Sequence, residues 1–124
     1  MANSLTITRG NTLVMNYTNQ DNSSPPKPIS LTGALVYFTV KPVQYDTSVT
    51  DSTAIFQLSV GSGIVLNTTS TNLATITATA AQTELLTPGL SPYYDITIKY
   101  SNGQVITPIS GQIKVIGTPT NVAS

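Results

Sequence analysis

Residues 93–115, YYDITIKYSNGQVITPISGQIKV, alternate apolar and polar side chains, break at Asn102-Gly103, and alternate again. Tyr94, Ile96, Ile98 and Tyr100 fall on one face, while Asp95, Thr97 and Lys99 fall on the other. That is the period of a strand with one side in a core. Ser101-Asn102-Gly103 supplies residues that tolerate the positive φ of a tight hairpin turn. The return strand, Gln104 to Val115, is interrupted by Pro108 and Gly111. Proline cannot donate to a ladder, so this strand is expected at a sheet edge or to change partner there.

The same vocabulary fills the rest of the chain. Residues 4–8 read as a short strand that turns at Arg9-Gly10-Asn11 into residues 12–18, with Leu13, Met15 and Tyr17 on one face. Residues 19–28, NQDNSSPPKP, are a polar, proline-rich loop. The strongest single strand is 34–42, with Val36, Phe38 and Val40 inward and Tyr37, Thr39 and Lys41 outward. Residues 43–53 are a second polar connection. Two further strands flank Gly61-Ser62-Gly63, and another spans 73–79. Turn signals at this spacing predict an all-β protein, an immunoglobulin-like β-sandwich of about 7–9 antiparallel strands.

One stretch breaks the rhythm. Thr79 and Gln82 stand at capping-box spacing, followed by good helix formers and a Pro88-Gly89 stop. The spacing predicts a short helical turn near residues 80–86, with Leu85 and Leu86 plugging the open end of the sandwich. The chain is read as one domain, 1–116, and a C-terminal tail, 117–124.

Composition excludes more than it assigns. Only 8% of the 124 residues are charged, five basic and five acidic, against about 25% in ordinary soluble domains. Five scattered cations, Arg9 to Lys114, make no stripe for nucleic acid or for an anionic membrane surface. No apolar run approaches the length of a membrane span, and the N-terminus lacks the basic and apolar regions of a secretory signal. Synthesis in a cytosol is therefore expected. Asn-x-Ser/Thr sequons at Asn16, Asn22 and Asn67 are what chance gives in a chain so rich in Ser and Thr.

Histidine and cysteine are both absent. That removes the commonest general base, thiolate chemistry and the usual ligands of zinc and other transition metals. Gly61-Ser62-Gly63 opens no helix and so reads as a turn, not a phosphate loop. Asp46 and Asp51 share a loop that lacks the spacing of a calcium hand, and Glu84 has no evident partner for glycoside chemistry. The expectation is a protein that is not an enzyme and takes no metal or cofactor. What remains is surface: Pro25, Pro26 and Pro28, Tyr45 and Tyr93, and the loop carrying Asp46 and Asp51 are the candidate protein-contact residues. So little charge on faces and edges suits a chain whose surfaces are covered in a larger assembly.

Several segments carry a likeness. These are the RG-x-T start (Arg9, Gly10, Thr12), the strand Leu31 to Val40, the T-x-x-L-x-PG…YYDI run from Thr83 to Ile96, and the ending from Asn102 to Val115. Together they resemble the immunoglobulin-like domains of tailed-phage virion proteins, in particular the N-terminal domain of baseplate upper proteins. The resemblance implies a structural part of the virion, made in the host cytoplasm, that binds other virion proteins of the capsid, tail or baseplate and forms homo-oligomers in the particle. In that family the domain heads a longer chain with a stalk or receptor-binding region. This sequence stops at Ser124 without heptads, so a decoration, cement or adaptor piece is expected in preference to a receptor binder. The paired cysteines and tryptophan of antibody domains are absent as well. The alternative reading is a carbohydrate- or receptor-binding module that uses Tyr45 or Tyr93 as a stacking platform.

Overall fold

The computed structural model describes residues 3–21, 23–42 and 54–117. Within them lie eight strands and one helical turn. The strands are β1 (Asn3–Thr8), β2 (Leu13–Thr18), β3 (Leu35–Lys41), β4 (Phe56–Val60), β5 (Gly63–Leu66), β6 (Leu73–Ala78), β7 (Tyr93–Lys99) and β8 (Val105–Ile116), with α1 (Ala80–Thr83) between β6 and β7. Their hydrogen-bonded order is β1-β8-β7-β3-β4-β5-β6-β2. The ladder folds over at the β4–β5 junction, giving a five-stranded layer and a three-stranded layer. Strands β2, β6 and β5 correspond to B, E and D of an immunoglobulin domain, and β3, β7 and β8 to C, F and G, with β4 beside C. The fold is an immunoglobulin-like β-sandwich.

Alternation puts one apolar row from each layer into a single core. Val36, Phe38 and Val40 of β3, Ile96 and Ile98 of β7 and Ile113 of β8 meet Ile64 of β5 and Ala74, Ile76 and Ala78 of β6. Phe38 is the hub, with Tyr94 at 5.7 Å and Phe56 at 6.2 Å between ring centroids, both tilted. Burying a phenylalanine this fully contributes roughly 1.5–3 kcal/mol. Burial raises the Tyr94 hydroxyl pKa above its ordinary value.

Three expectations need correction. The strands are not all antiparallel: β1 runs parallel to β8, Asn3 to Gly111 through Thr8 to Ile116, and β4 meets β5 in a short parallel contact. The Arg9–Thr12 turn makes no hairpin, because it carries the chain from one layer to the other. The helical turn ends at Thr83, short of the expected 86, and in the turn that follows Leu86 is buried as expected while Leu85 is 59% exposed. At the β7–β8 hairpin only Gly103 takes positive φ (93°). Its N–H donates to Tyr100 O at 2.9 Å, and Tyr100 N–H to Gln104 O at 2.8 Å, the pattern of a turn closed by a glycine bulge. Pro108 and Gly111 behave as expected. Strand β8 pairs with β7 throughout residues 105–112, beside a register shift at Ile96/Ile98, and takes β1 as its second partner from Gly111 onward.

Two local devices hold the layers together. The α1 turn is capped reciprocally, Thr79 Oγ1 accepting from Gln82 N–H and Gln82 Oε1 from Thr79 N–H. Thr83, fully buried, donates to Asn11 O at 2.8 Å and accepts from Gly10 N–H at 3.1 Å. Arg9 Nε donates to Glu84 O at 3.1 Å. At the other end Asn19, 2% exposed, accepts from Tyr17 Oη at 2.8 Å and donates to Tyr100 Oη at 2.9 Å and Ile29 O at 3.2 Å. That knot joins β2, the following loop and the end of β7.

The corner between β4 and β5 and the buried Tyr17 hydroxyl can each be tested. Gly63 has φ +98°, and a Cβ there would lie 2.7 Å from Leu58 Cδ2 and 3.0 Å from Thr77 O. Gly61 has φ +89° with open space. Gly61→Ala is expected to lose roughly 1–3 kcal/mol from backbone conformation alone, and Gly63→Ala distinctly more, read by urea unfolding. Secondly, burial, assisted by neighbouring Tyr100, pushes the Tyr17 hydroxyl pKa from 10.0 up to about 12. Between those values the folded chain keeps a proton that the unfolded chain has released. Stability is therefore intact below pH 10 and falls as pH rises from 10 towards 12. Tyr17→Phe should flatten that fall in unfolding midpoints compared at pH 9 and pH 11.

Candidate contact surfaces

The two outer faces differ in chemistry because the strands beneath them do. On the five-stranded layer, pairing aligns Gln112, Tyr93 and Lys41 in one row and Ser110, Asp95, Thr39 and Gln57 in the next. Tyr37 stands between Thr97 and Ser59, and Lys99 between Val105 and Leu35. Side chains brace one another across these rows. Gln57 Nε2 donates to Thr39 Oγ1 at 2.9 Å, and Thr97 Oγ1 lies 3.0 Å from both Asp95 Oδ1 and Thr107 Oγ1. Thr39 is only 6% exposed although it points outward. The centre of the face is a shallow depression of about 270 Å³, with Tyr37, Gln57, Asp95, Thr97, Lys99 and Val105 among its walls.

The outer face of the three-stranded layer carries no charge. Val14 pairs with Thr77, Asn16 with Thr75, and Thr75 in turn with Val65. Val14 and Val65 are 61% and 68% exposed, and Thr75 Oγ1 donates to Asn16 Oδ1 at 3.0 Å. Among the described residues the charges lie elsewhere: Lys41, Asp95, Lys99 and Lys114 on the other layer, Asp21 and Lys27 in the loop after β2, and Arg9 with Glu84 at the α1 end. Arg9 Nη2 stands 4.0 Å from Glu84 Oε1, and the second carboxylate oxygen of Glu84 is buried with no hydrogen-bond partner.

The candidate contact residues that are described, Pro25, Pro26, Pro28 and Tyr93, lie on separate parts of the fold. Pro25, Pro26 and Pro28 are exposed in the loop after β2, which closes on itself through a Gln20–Pro28 bridge. Asp21 Oδ1 holds this loop by accepting from the N–H groups of Ser23 and Lys27, both at 2.9 Å. Tyr93 is half-buried on the five-stranded face and is absent from the walls of the depression. Tyr45, Asp46 and Asp51, and with them the calcium question, lie outside the described residues, as does the tail beyond Gly117. Among the described residues no three carboxylates converge as metal ligands would. Sequence reasoning singled out neither Tyr37 nor the Val14–Val65 face. Alternation alone places these side chains outward, but which outward rows become neighbours depends on strand pairing.

Neither the protein-family models nor the curated proteins contain a match to this chain. Among solved structures, the crystal structure of CopC from Methylosinus trichosporium OB3b is similar over 94% of this chain and 87% of its own, at 8% identity and a TM-score of 0.47.

The loop clamp is open to test. Hydrogen bonds from the Lys27 and then the Ser23 backbone hold the Asp21 carboxyl below its ordinary pKa. The clamp is thus present above the ordinary carboxylate range and is lost as pH falls through that lowered value. In Asp21→Ala the Lys27 amide should exchange about tenfold faster at neutral pH, the loss of one hydrogen bond of ordinary strength. The wild type should approach the same rate, corrected for intrinsic chemistry, only in acid.

Proposed function

We propose that this chain is a structural module of a tailed-phage particle, fixed by protein–protein contacts as a head decoration or cement, or as a tail or baseplate adaptor. The observation that carries the reading is the uncharged three-stranded face with β2 open at its margin. A free domain normally protects such an edge with charge, proline or a bulge, and LVMNYT has none of these. Apolar exposure of this kind is explained by a partner that covers it. The likeness of the Arg9–Thr12, Leu31–Val40 and Thr83–Ile96 segments to virion immunoglobulin-like domains supplies the particle. Contact would bury strand edges and Val/Thr surface in many symmetric copies, without turnover.

A second reading draws on the depression around Tyr37. An aromatic ring flanked by Gln57, Asp95 and Lys99 offers the apolar platform and polar rim on which a sugar binds.

Quantitative mass spectrometry of purified particles, with copy number set against the major capsid protein, tests the first reading. Hundreds of copies are expected for decoration or cement, and a few to a few tens for a baseplate or neck adaptor. Absence from particles would overturn the proposal. A glycan array on which binding is lost in Tyr37→Ala would then favour the second reading.

A further inference from the structure

Among the described strands, β2 ends the hydrogen-bonded order and has β6 as its one partner. Asn19 N–H donates to Asn72 O at 2.8 Å. In the antiparallel register of β2 with β6 that pair is hydrogen-bonded, so the next pair, Thr18 with Leu73, is not. The alternation turns the backbone N–H and C=O groups of Val14, Asn16 and Thr18 away from β6, toward the open side. Among the described residues, the loop that follows does not cross them. Asp21 N–H donates to Lys27 O and Ile29 N–H to Asn19 O, which returns the chain on the β6 side, where Leu31 N–H reaches Thr71 O.

We propose that this edge binds a second copy of the chain, β2 against β2, about a two-fold axis at Asn16. The register is self-complementary. Asn16 faces Asn16 of the second copy, Val14 faces Thr18, and Thr18 faces Val14. Each outward N–H then meets an outward C=O, two hydrogen bonds for each of the three facing pairs. The side chains agree with that register, because Val14, Asn16 and Thr18 are all exposed on one face. A two-fold axis sets any central charge directly against its own copy, which destabilises a strand pair. The absence of charge from β2, β5 and β6 removes that obstacle, and it extends the uncharged Val/Thr/Asn face without a break across the axis. On its side away from β7, the 105–110 segment of β8 lies before the β1 ladder begins, and it carries Pro108. This inference goes beyond the particle reading and does not require it, since the pair forms in purified protein.

Sedimentation equilibrium of the full chain from micromolar to millimolar concentration provides the test. The wild type should shift from one chain mass towards two. Asn16→Lys and Asn16→Asp should each stay monomeric, because like charges then meet across the axis. An equimolar mixture of the two should dimerise again. Exchange at the amides of Val14, Asn16 and Thr18 in the wild type should slow as concentration rises. That readout decides the matter even where a variant fails to fold. A wild type monomeric throughout the range overturns the proposal, as does an Asn16→Lys variant that folds and dimerises like the wild type. Protection of those three amides in the dilute monomer also overturns it, because the edge would then be covered by the chain's own residues.

Discussion

At Gly61-Ser62-Gly63 the chain must leave one layer and start the other within three residues. Ser59 and Ser62 exchange backbone hydrogen bonds of 3.0 and 2.8 Å there, and Gly61 N–H donates to Ile64 O at 3.0 Å. This turn brings β5 against β6, sets Gly63 against Leu58, and places Ile64 and Leu58 in one core. Close approach of the backbone to Leu58 and to the Thr77 carbonyl is the physical requirement, and only a residue without a Cβ meets it at that φ. The loops, the plug and the outer faces take their places from the layering that this corner imposes.

Much of the layering was legible from side-chain period. Val36, Phe38 and Val40, and Tyr94, Ile96 and Ile98, are inward as alternation requires, because a pleated strand permits no other assignment once one face is buried. Thr79, Gln82 and the Pro88-Gly89 stop marked α1 through capping chemistry, which is local. Long-range pairing was not legible. Nothing in residues 4–8 states that they lie parallel to residues 112–116 and apart from β2, since the choice depends on where the Arg9–Thr12 turn is tied. The tie is Thr83, more than seventy residues away in sequence, with Arg9 reaching the adjacent carbonyl. The surface was the least legible. The Tyr37 depression and the Val14–Val65 face exist only once register is set, and the Asn19 knot assembles three segments that no spacing links.

Charge is partitioned as sharply as burial. Among the described residues, cations and carboxylates gather on the five-stranded layer, the β2 loop and the α1 end, leaving the outer face of the second layer to Val, Thr and Asn. Hydroxyls and amides hydrate such a face adequately while adding no long-range repulsion. A face of this kind is compatible with solution and with burial against a matching surface, a balance that a charged face, costly to desolvate, does not offer.

The parallel alignment of β1 with β8 has a mechanical consequence. The chain enters the described fold at one end of that ladder and leaves it at the opposite end. Tension applied through the two ends therefore drags β1 and β8 lengthwise past each other. Every rung from Asn3/Gly111 to Thr8/Ile116 is strained together, whereas an antiparallel pair pulled from its open end would peel one rung at a time. Placed in a line of force, the domain would act as a stiff link, yielding only when the whole ladder shears.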